Sequence, residues 1–202
     1  MSHYFIKDDA LEDDILNFSF NFRGHKFTFT SNSGMFSPGH VDEASALLLS
    51  HIPALPAGSR VLDLGCGYGA IGIALSKTYD GIDVVMSDVN ERALRYAEIN
   101  AKHNNVKAVT ALSDCLQDIG GTFDAIILNP PIHAGKETMY RMYVESFDKL
   151  NGGGALYIVM QKKHGAESSL KKLTEIFGGD NCETLYKKKG FYIFACRKAT
   201  QN

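Results

Sequence analysis

"RVLDLGCGYGAIGIALSKTY", Arg60 to Tyr79, sets a short apolar strand against a helical stretch with three glycines between them. Val61, Leu62 and Leu64 make the strand, and the residues from Tyr68 to Tyr79 are helical in character. Gly65, Gly67 and Gly69 permit a tight turn and let a ligand approach the backbone where the helix begins. A strand feeding a helix through such a turn opens a β-α-β unit, so the rest of the chain is expected to alternate in the same way.

Downstream it does so. "IDVVMSD" (82–88) reads as a strand, "NERALRYAEINAKHN" (90–104) as a helix capped by Asn90, and "VKAVTAL" (106–112) as a strand. "FDAIILN" (123–129) is a strand and "KETMYRMYVESFDKL" (136–150) a helix, ending at "NGGG", where glycine can take the left-handed cap conformation. "ALYIVM" is the next strand and "GAESSLKKLTEIF" the next helix; "CETLYKKKGFYIFACRK" is two strands joined by a Lys-Gly turn. Right-handed crossovers make this a mainly parallel seven-stranded sheet covered on both faces, with an antiparallel C-terminal strand. Upstream lies a helix from about Asp42 to Ile52. Before it, "NFSFNFRGHKFTFTS" alternates phenylalanine with polar residues around a glycine turn, as a hairpin does. The expectation is an α/β single domain over residues 1–202, with an N-terminal extension carrying the hairpin (1–40) and a core (41–202).

Composition suits a folded globular chain: 202 residues, 45% hydrophobic and 22% charged. No apolar run approaches the roughly 20 residues that a membrane-spanning helix needs. The opening "MSHYFIKDDALEDD" lacks the basic-then-apolar order of a secretory signal, so a cytoplasmic location is expected. Four scattered cysteines without a C-x-x-C pair suggest reduced thiols, neither disulfides nor zinc ligands, and no metal. The net charge of -2 announces no nucleic-acid partner, although lysines cluster at 162–163, 171–172 and 187–189.

Gly65, Gly67 and Ala70 formally satisfy a dinucleotide fingerprint. Asp63, at the end of the strand, would repel a pyrophosphate and suits a ligand carrying positive charge; its plain alternative is ordering the loop. S-adenosylmethionine has an ammonium and a sulfonium and no phosphate. Asp88 ends the second core strand, where it can accept from a ribose diol; capping the Asn90 helix is the competing role. Asp114, after the third strand, is placed to meet an adenine amino group. Cys66 is expected to pack as a small residue.

"ILNPPIHAGK" (127–136) ends the fourth core strand with an amide side chain and two prolines, at the sheet edge where such folds bind ligands. An exocyclic amine is a poor nucleophile because its lone pair is delocalised. Two acceptors, the Asn129 side-chain oxygen and the Pro130 carbonyl, can draw its nitrogen towards tetrahedral geometry, and the prolines fix those acceptors in advance.

Together, "VLDLGCGYGAIGIAL", "SDVNERAL", "SDCL" and "ILNPPIHAGK" resemble class I S-adenosylmethionine-dependent methyltransferases. More narrowly they resemble the methyltransferase small domain family, which includes guanine-N2 methyltransferases of small-subunit ribosomal RNA. "TSNSGMFSPGHVDEASALLL" and "GGGALYIVMQKKHGAES" are similar to that group's flanking segments, so the resemblance runs from about Phe27 to Arg197. It implies a Rossmann-like fold, S-adenosylmethionine as cofactor and RNA, ribosomal RNA or a ribosomal subunit, as partner. Asp63, Gly65 and Gly67 would face the methionine part, Asp88 the ribose and Asp114 the adenine. Asn129 would sit against the cofactor and, with Pro130, hold the target amine. Gly34, Met35, Phe36 and Ser37 would line the pocket. Many relatives carry an aromatic after the prolines; here that position is Ile132, which leaves Phe36 as a candidate stacking surface. Pro131, Ile132 and His133 flank the substrate, and Lys162 and Lys163 are candidates for phosphate contact. DNA-adenine or protein-glutamine methylation shares the same chemistry. A non-catalytic RNA-binding or assembly factor and a nicotinamide-dependent oxidoreductase are the alternatives of another class.

Overall fold

The computed structural model describes residues 14–131 and 135–200. Its elements run β1 (Ile15–Phe22), β2 (His25–Asn32), α1 (Glu43–His51), β3 (Arg60–Leu64), α2 (Ala70–Thr78), β4 (Asp83–Asp88), α3 (Glu91–His103), β5 (Val109–Leu112) and β6 (Phe123–Leu128). Then follow α4 (Gly135–Lys149), β7 (Leu150–Gln161), α5 (Ala166–Phe177), β8 (Cys182–Lys188) and β9 (Phe191–Arg197). Two sheets form: the β1-β2 hairpin, and a seven-stranded sheet of order β5-β4-β3-β6-β7-β9-β8. Only β9 breaks the parallel direction of its neighbours, running antiparallel to both β7 and β8. The expected α/β architecture is therefore present, hairpin included.

Alternation along the strands builds two cores. Val61 and Ile127 face one side with α1, α2, α3 and β2, while Leu62, Leu64, Ile126 and Leu128 face the other with α4 and α5. The β1-β2 turn uses Arg23 and Gly24, and the β8-β9 turn Lys189 and Gly190; all four have positive φ, the geometry that matches the twist of paired strands.

The hairpin is fastened to the core through α3. Thr28 donates its backbone N–H to Asn104 Oδ1 at 3.0 Å and accepts from Asn104 Nδ2 at 2.8 Å. One turn earlier on the helix, Asn100 does the same for Thr30 at 2.7 and 2.9 Å. Two asparagines at i, i+4 thus pair an edge strand as a neighbouring strand would. Phe27 and Phe29 of β2 are fully buried.

Several expected boundaries move. The strand read over 106–112 shortens to β5, because Asn105 at φ 55 and the N–H of Val106, donated to Ala101 O, close the end of α3. "NGGG" lies inside β7, where no cap is formed: α4 stops at Lys149, and Gly153 and Gly154 exchange backbone bonds with Lys198. A Cβ at Gly154 would meet three backbone carbonyls at 3.0–3.1 Å, so close approach selects glycine there. The cysteine expectation is corrected in part. Cys182 and Cys196 face each other in the β8-β9 register and form a disulfide, while Cys66 and Cys115 are buried free thiols. Fourteen residues separate the pair in sequence, and only strand register brings them together. Among the described residues, no helix is long and apolar enough to cross a membrane.

Candidate active site

The carboxyl ends of β3, β4, β6 and β7 form one rim. Leu64 pairs with Leu128, so Gly65 and Asn129 are the next residues on adjacent parallel strands. Strands so paired lie about 4.8 Å apart.

The glycine bend between β3 and α2 is held from below. Gly65 and Cys66 both donate to Ser87 O at 2.8 Å, and Gly67 donates to Asp88 Oδ2 at 2.9 Å. The glycines divide into two kinds. A Cβ added at Gly65 or Gly67 would meet nothing within 4 Å, whereas one at Gly72 would strike Met86 at 2.7 Å and one at Gly69 would crowd Ile73, Met86 and Ala97. Gly65 and Gly67 leave an open surface; Gly69 and Gly72 serve packing.

Asp63 lies under the bend. It is 1% exposed beneath the bend and accepts from Gly72 N–H at 2.7 Å, the loop-ordering alternative. Burial, with a smaller contribution from Asp88, pushes its pKa up to about 7 against the lowering effect of the Gly72 bond. Asp88 uses one oxygen for Gly67 N–H and the other for Asn90 N–H at 2.9 Å, so it orders the loop and the start of α3 together. Desolvation raises its pKa. Asp114 is engaged by Arg141 of α4, whose hydrogen bond holds the carboxyl below its usual range. Burial keeps the Cys66 thiol protonated.

Asn129 is oriented by α1. Its Nδ2 donates to Ser45 Oγ at 2.9 Å and more weakly to both Asp42 oxygens at 3.4 Å. Asp42 is itself fixed as the N-cap of α1 by Ala44 and Ser45 N–H. With the amide nitrogen so committed, Asn129 Oδ1 has no partner among the described residues.

Beside Asn129 lies a cavity of about 380 Å³, within the range of roughly 300–1,000 Å³ usual for small-molecule sites. Asn129, Pro130, Phe36 and Asp42 line it from one set of elements; Lys136, Gln161, His164 and Ser168 line it from α4, the end of β7 and the start of α5. Phe36, at 66% exposure, is an accessible aromatic face. The loop bearing it is tied down by Gly39 N–H to Ser31 Oγ and by Tyr68 OH to His40 O.

Of the expected site residues, Asn129, Pro130 and Phe36 share the cavity, and Gly65, Gly67 and Asp88 form the adjoining bend. Pro131 is half-buried and, like the exposed Lys163, stands outside the cavity lining. Ile132 and His133 lie outside the described residues. Sequence reasoning passed over Ser45, Asp42, Lys136 and His164. The N-cap signal of "VDEAS" was the available clue to the first pair, and proximity to Lys163 the clue to His164. Among the described residues, no group of three or more His, Cys, Asp or Glu side chains is placed to hold a metal.

Comparison with known proteins adds the following. A model of the methyltransferase small domain matches residues 26–195. The uncharacterized protein YbxB of Bacillus subtilis is 38% identical over 199 residues, 97% of this chain and 98% of that protein. The ribosomal RNA small subunit methyltransferase C of Vibrio cholerae is 32% identical over 195 residues, 93% of this chain and 54% of that enzyme. A solved structure of the T. thermophilus 16S rRNA N2 methyltransferase, in complex with AdoMet and guanosine, superposes with a TM-score of 0.81 at 29% identity, covering 91% of this chain and 50% of that one. The chain spans about half the length of these ribosomal RNA methyltransferases.

Proposed function

The chain belongs to the methyltransferase small domain family, and on that premise we propose that it transfers the methyl group of S-adenosylmethionine to the exocyclic N2 amine of a guanine in ribosomal RNA. The observation that carries this reading is the pairing of Leu64 with Leu128. It sets the open Gly65–Gly67 backbone beside Asn129, so a donor lying on the bend adjoins an amine held by Asn129 and Pro130.

The residues fit the cofactor. Gly65 and Gly67 offer the backbone surface that a side chain would block. Asp88 retains acceptor capacity for a ribose diol beyond its backbone donors. Asp114, sharing its carboxylate with Arg141, is assigned to the adenine amino group. When bound, S-adenosylmethionine supplies an electrophilic methyl on a sulfonium. The protein's part is positional: Asn129 Oδ1 and the Pro130 carbonyl accept the two amine hydrogens, localise the nitrogen lone pair and aim it at that methyl. The amine nitrogen would take the methyl as the methyl's bond to sulfur breaks, S-adenosylhomocysteine would leave, and the proton left on nitrogen, now acidic, would pass to water. No strong general base is needed.

For the RNA, Phe36 is assigned to stacking on the base, taking the place of the aromatic that Ile132 does not provide. Pro131 is assigned to flank it, and Lys162 and Lys163 to reach phosphates from the turn after β7. On this reading the protein acts in the cytoplasm, on ribosomal RNA or a ribosomal subunit. Family membership sets the nicotinamide-dependent reading aside.

The test is transfer of labelled methyl from S-adenosylmethionine to RNA from cells lacking the protein, with the modified nucleoside mapped by mass spectrometry. Asn129→Ala should slow transfer by about 10²–10³, the usual cost of one prearranged polar contact, while cofactor affinity by calorimetry stays unchanged. A variant as fast as the wild type overturns the reading, and so does a product other than N2-methylguanosine.

A further inference from the structure

His164 closes the short turn Lys162–His164 between β7 and α5, and it lines the cavity that Asn129 and Pro130 share. Its ring makes no hydrogen bond with any described residue, and Nδ1 is buried without a partner. An orphaned buried N–H is costlier, and rarer, than an orphaned lone pair. In the neutral ring the lone pair is therefore assigned to Nδ1 and the proton to Nε2, which makes the ring's other nitrogen a donor.

The other polar groups on that wall are committed or ambivalent. Lys136 Nζ lies over the Tyr140 ring at 5.5 Å, and Ser168 Oγ donates to Gly165 O at 2.9 Å. Gln161 carries both an amide donor and an amide acceptor, so alone it cannot tell an oxo from an amino group. His164 can.

We propose that His164 is a specificity residue whose Nε2–H donates to O6 of the target guanine, selecting a 6-oxo over a 6-amino purine. The proposal rests on the guanine-N2 reading. N2 and O6 stand at the two ends of one guanine edge. The cavity that holds Asn129 and Pro130 for N2 bears His164 on the turn after the next strand, a donor for the other end. A 6-amino group would set N–H against N–H at His164.

The experiment uses the full protein and an RNA fragment carrying the mapped nucleotide, made with guanine or with 2,6-diaminopurine at that position. Both bases present the N2 amine. Wild type should favour guanine in kcat/KM. His164→Phe should lower the guanine rate about tenfold, the scale of one hydrogen bond, without an equal fall on diaminopurine, where the opposed N–H is removed, and so shrink the preference at least about tenfold with the same cofactor affinity. His164→Gln, which restores an N–H but also brings an acceptor, should recover part of the guanine rate without restoring the preference. An unchanged preference in His164→Phe, an equal fall on both bases, or no recovery of the guanine rate in His164→Gln overturns the assignment. If wild type methylates neither base at N2, the parent reading fails independently of His164.

Discussion

Replacing Asp63 by asparagine isolates what the buried carboxylate costs the fold. The group is 1% exposed and its pKa is pushed up to about 7, burial being the main cause. The folded protein thus binds this proton more tightly than the unfolded chain, whose aspartate titrates near 3.9. The sign follows. Asp63's contribution is most favourable below about pH 4, is lost as pH rises towards about 7, and is level above that. At 1.36 kcal/mol per unit over about three units, the loss has a ceiling of about 4 kcal/mol. Asparagine never ionises, and its side-chain oxygen can still accept from Gly72 N–H, so the 2.7 Å contact survives. Relative to wild type, Asp63→Asn should gain stability steadily between about pH 4 and about pH 7, by up to a few kcal/mol at the upper end. Urea unfolding of both proteins without cofactor, at about pH 5 and about pH 8, measures the gain. A stability difference that is the same at both pH values would refute the reasoning, because the carboxylate would then be no more costly folded than unfolded.

Ser45→Ala removes the 2.9 Å acceptor that orients the Asn129 amide and leaves only two long contacts to Asp42. One neutral hydrogen bond contributes about 0.5–1.5 kcal/mol, so kcat should fall about two- to twelvefold with the cofactor dissociation constant unmoved; an unchanged kcat would detach Ser45 from the site. Asp88→Ala should weaken S-adenosylmethionine binding by about 1–3 kcal/mol in calorimetry. A lowered melting temperature with unchanged affinity would confine Asp88 to supporting Gly67 and Asn90.

Much of the fold was legible because parallel strands covered on both faces read as short apolar runs. Val61 to Leu64, Val84 to Met86 and Ala125 to Leu128 could be little else. What escaped notice depended on distant partners. "NGGG" looked like a helix stop, yet crowding by the carbonyls of Phe123, Asp124 and Asn151 requires glycine at 154 within a strand. Asn100 and Asn104 looked like ordinary polar helix residues, and only the position of β2 reveals them as its hydrogen-bonding partners. Cys182 and Cys196 likewise become neighbours through register alone.

At the site, residue type pointed to the rim but not to which oxygens were already occupied. Asp63 and Asp114 are acceptors near the rim, yet Gly72 N–H and Arg141 each take up part of their capacity. Lys163 drew attention as a charge, while the residue lining the cavity is its neighbour, His164. Charge is visible in a sequence; commitment is not.

The N-terminal extension has a bearing on catalysis that its place in the chain conceals. Asn100 Nδ2 reaches both Thr30 O of the hairpin and Tyr68 O of the glycine bend, each at 2.9 Å. Tyr68 OH in turn donates to His40 O, two residues before Asp42, which with Ser45 orients Asn129. Hairpin, glycine bend, α1 and the end of β6 are thereby linked through side chains whose bonding groups are mostly buried. Methyl transfer by positioning alone demands that donor and acceptor surfaces keep their separation without reorganising. A loop and a strand end fastened only to their own strands would drift independently. Asn100 and Tyr68 cross-link them, and a two-stranded hairpin too small to be stable alone thereby supports the base of the site.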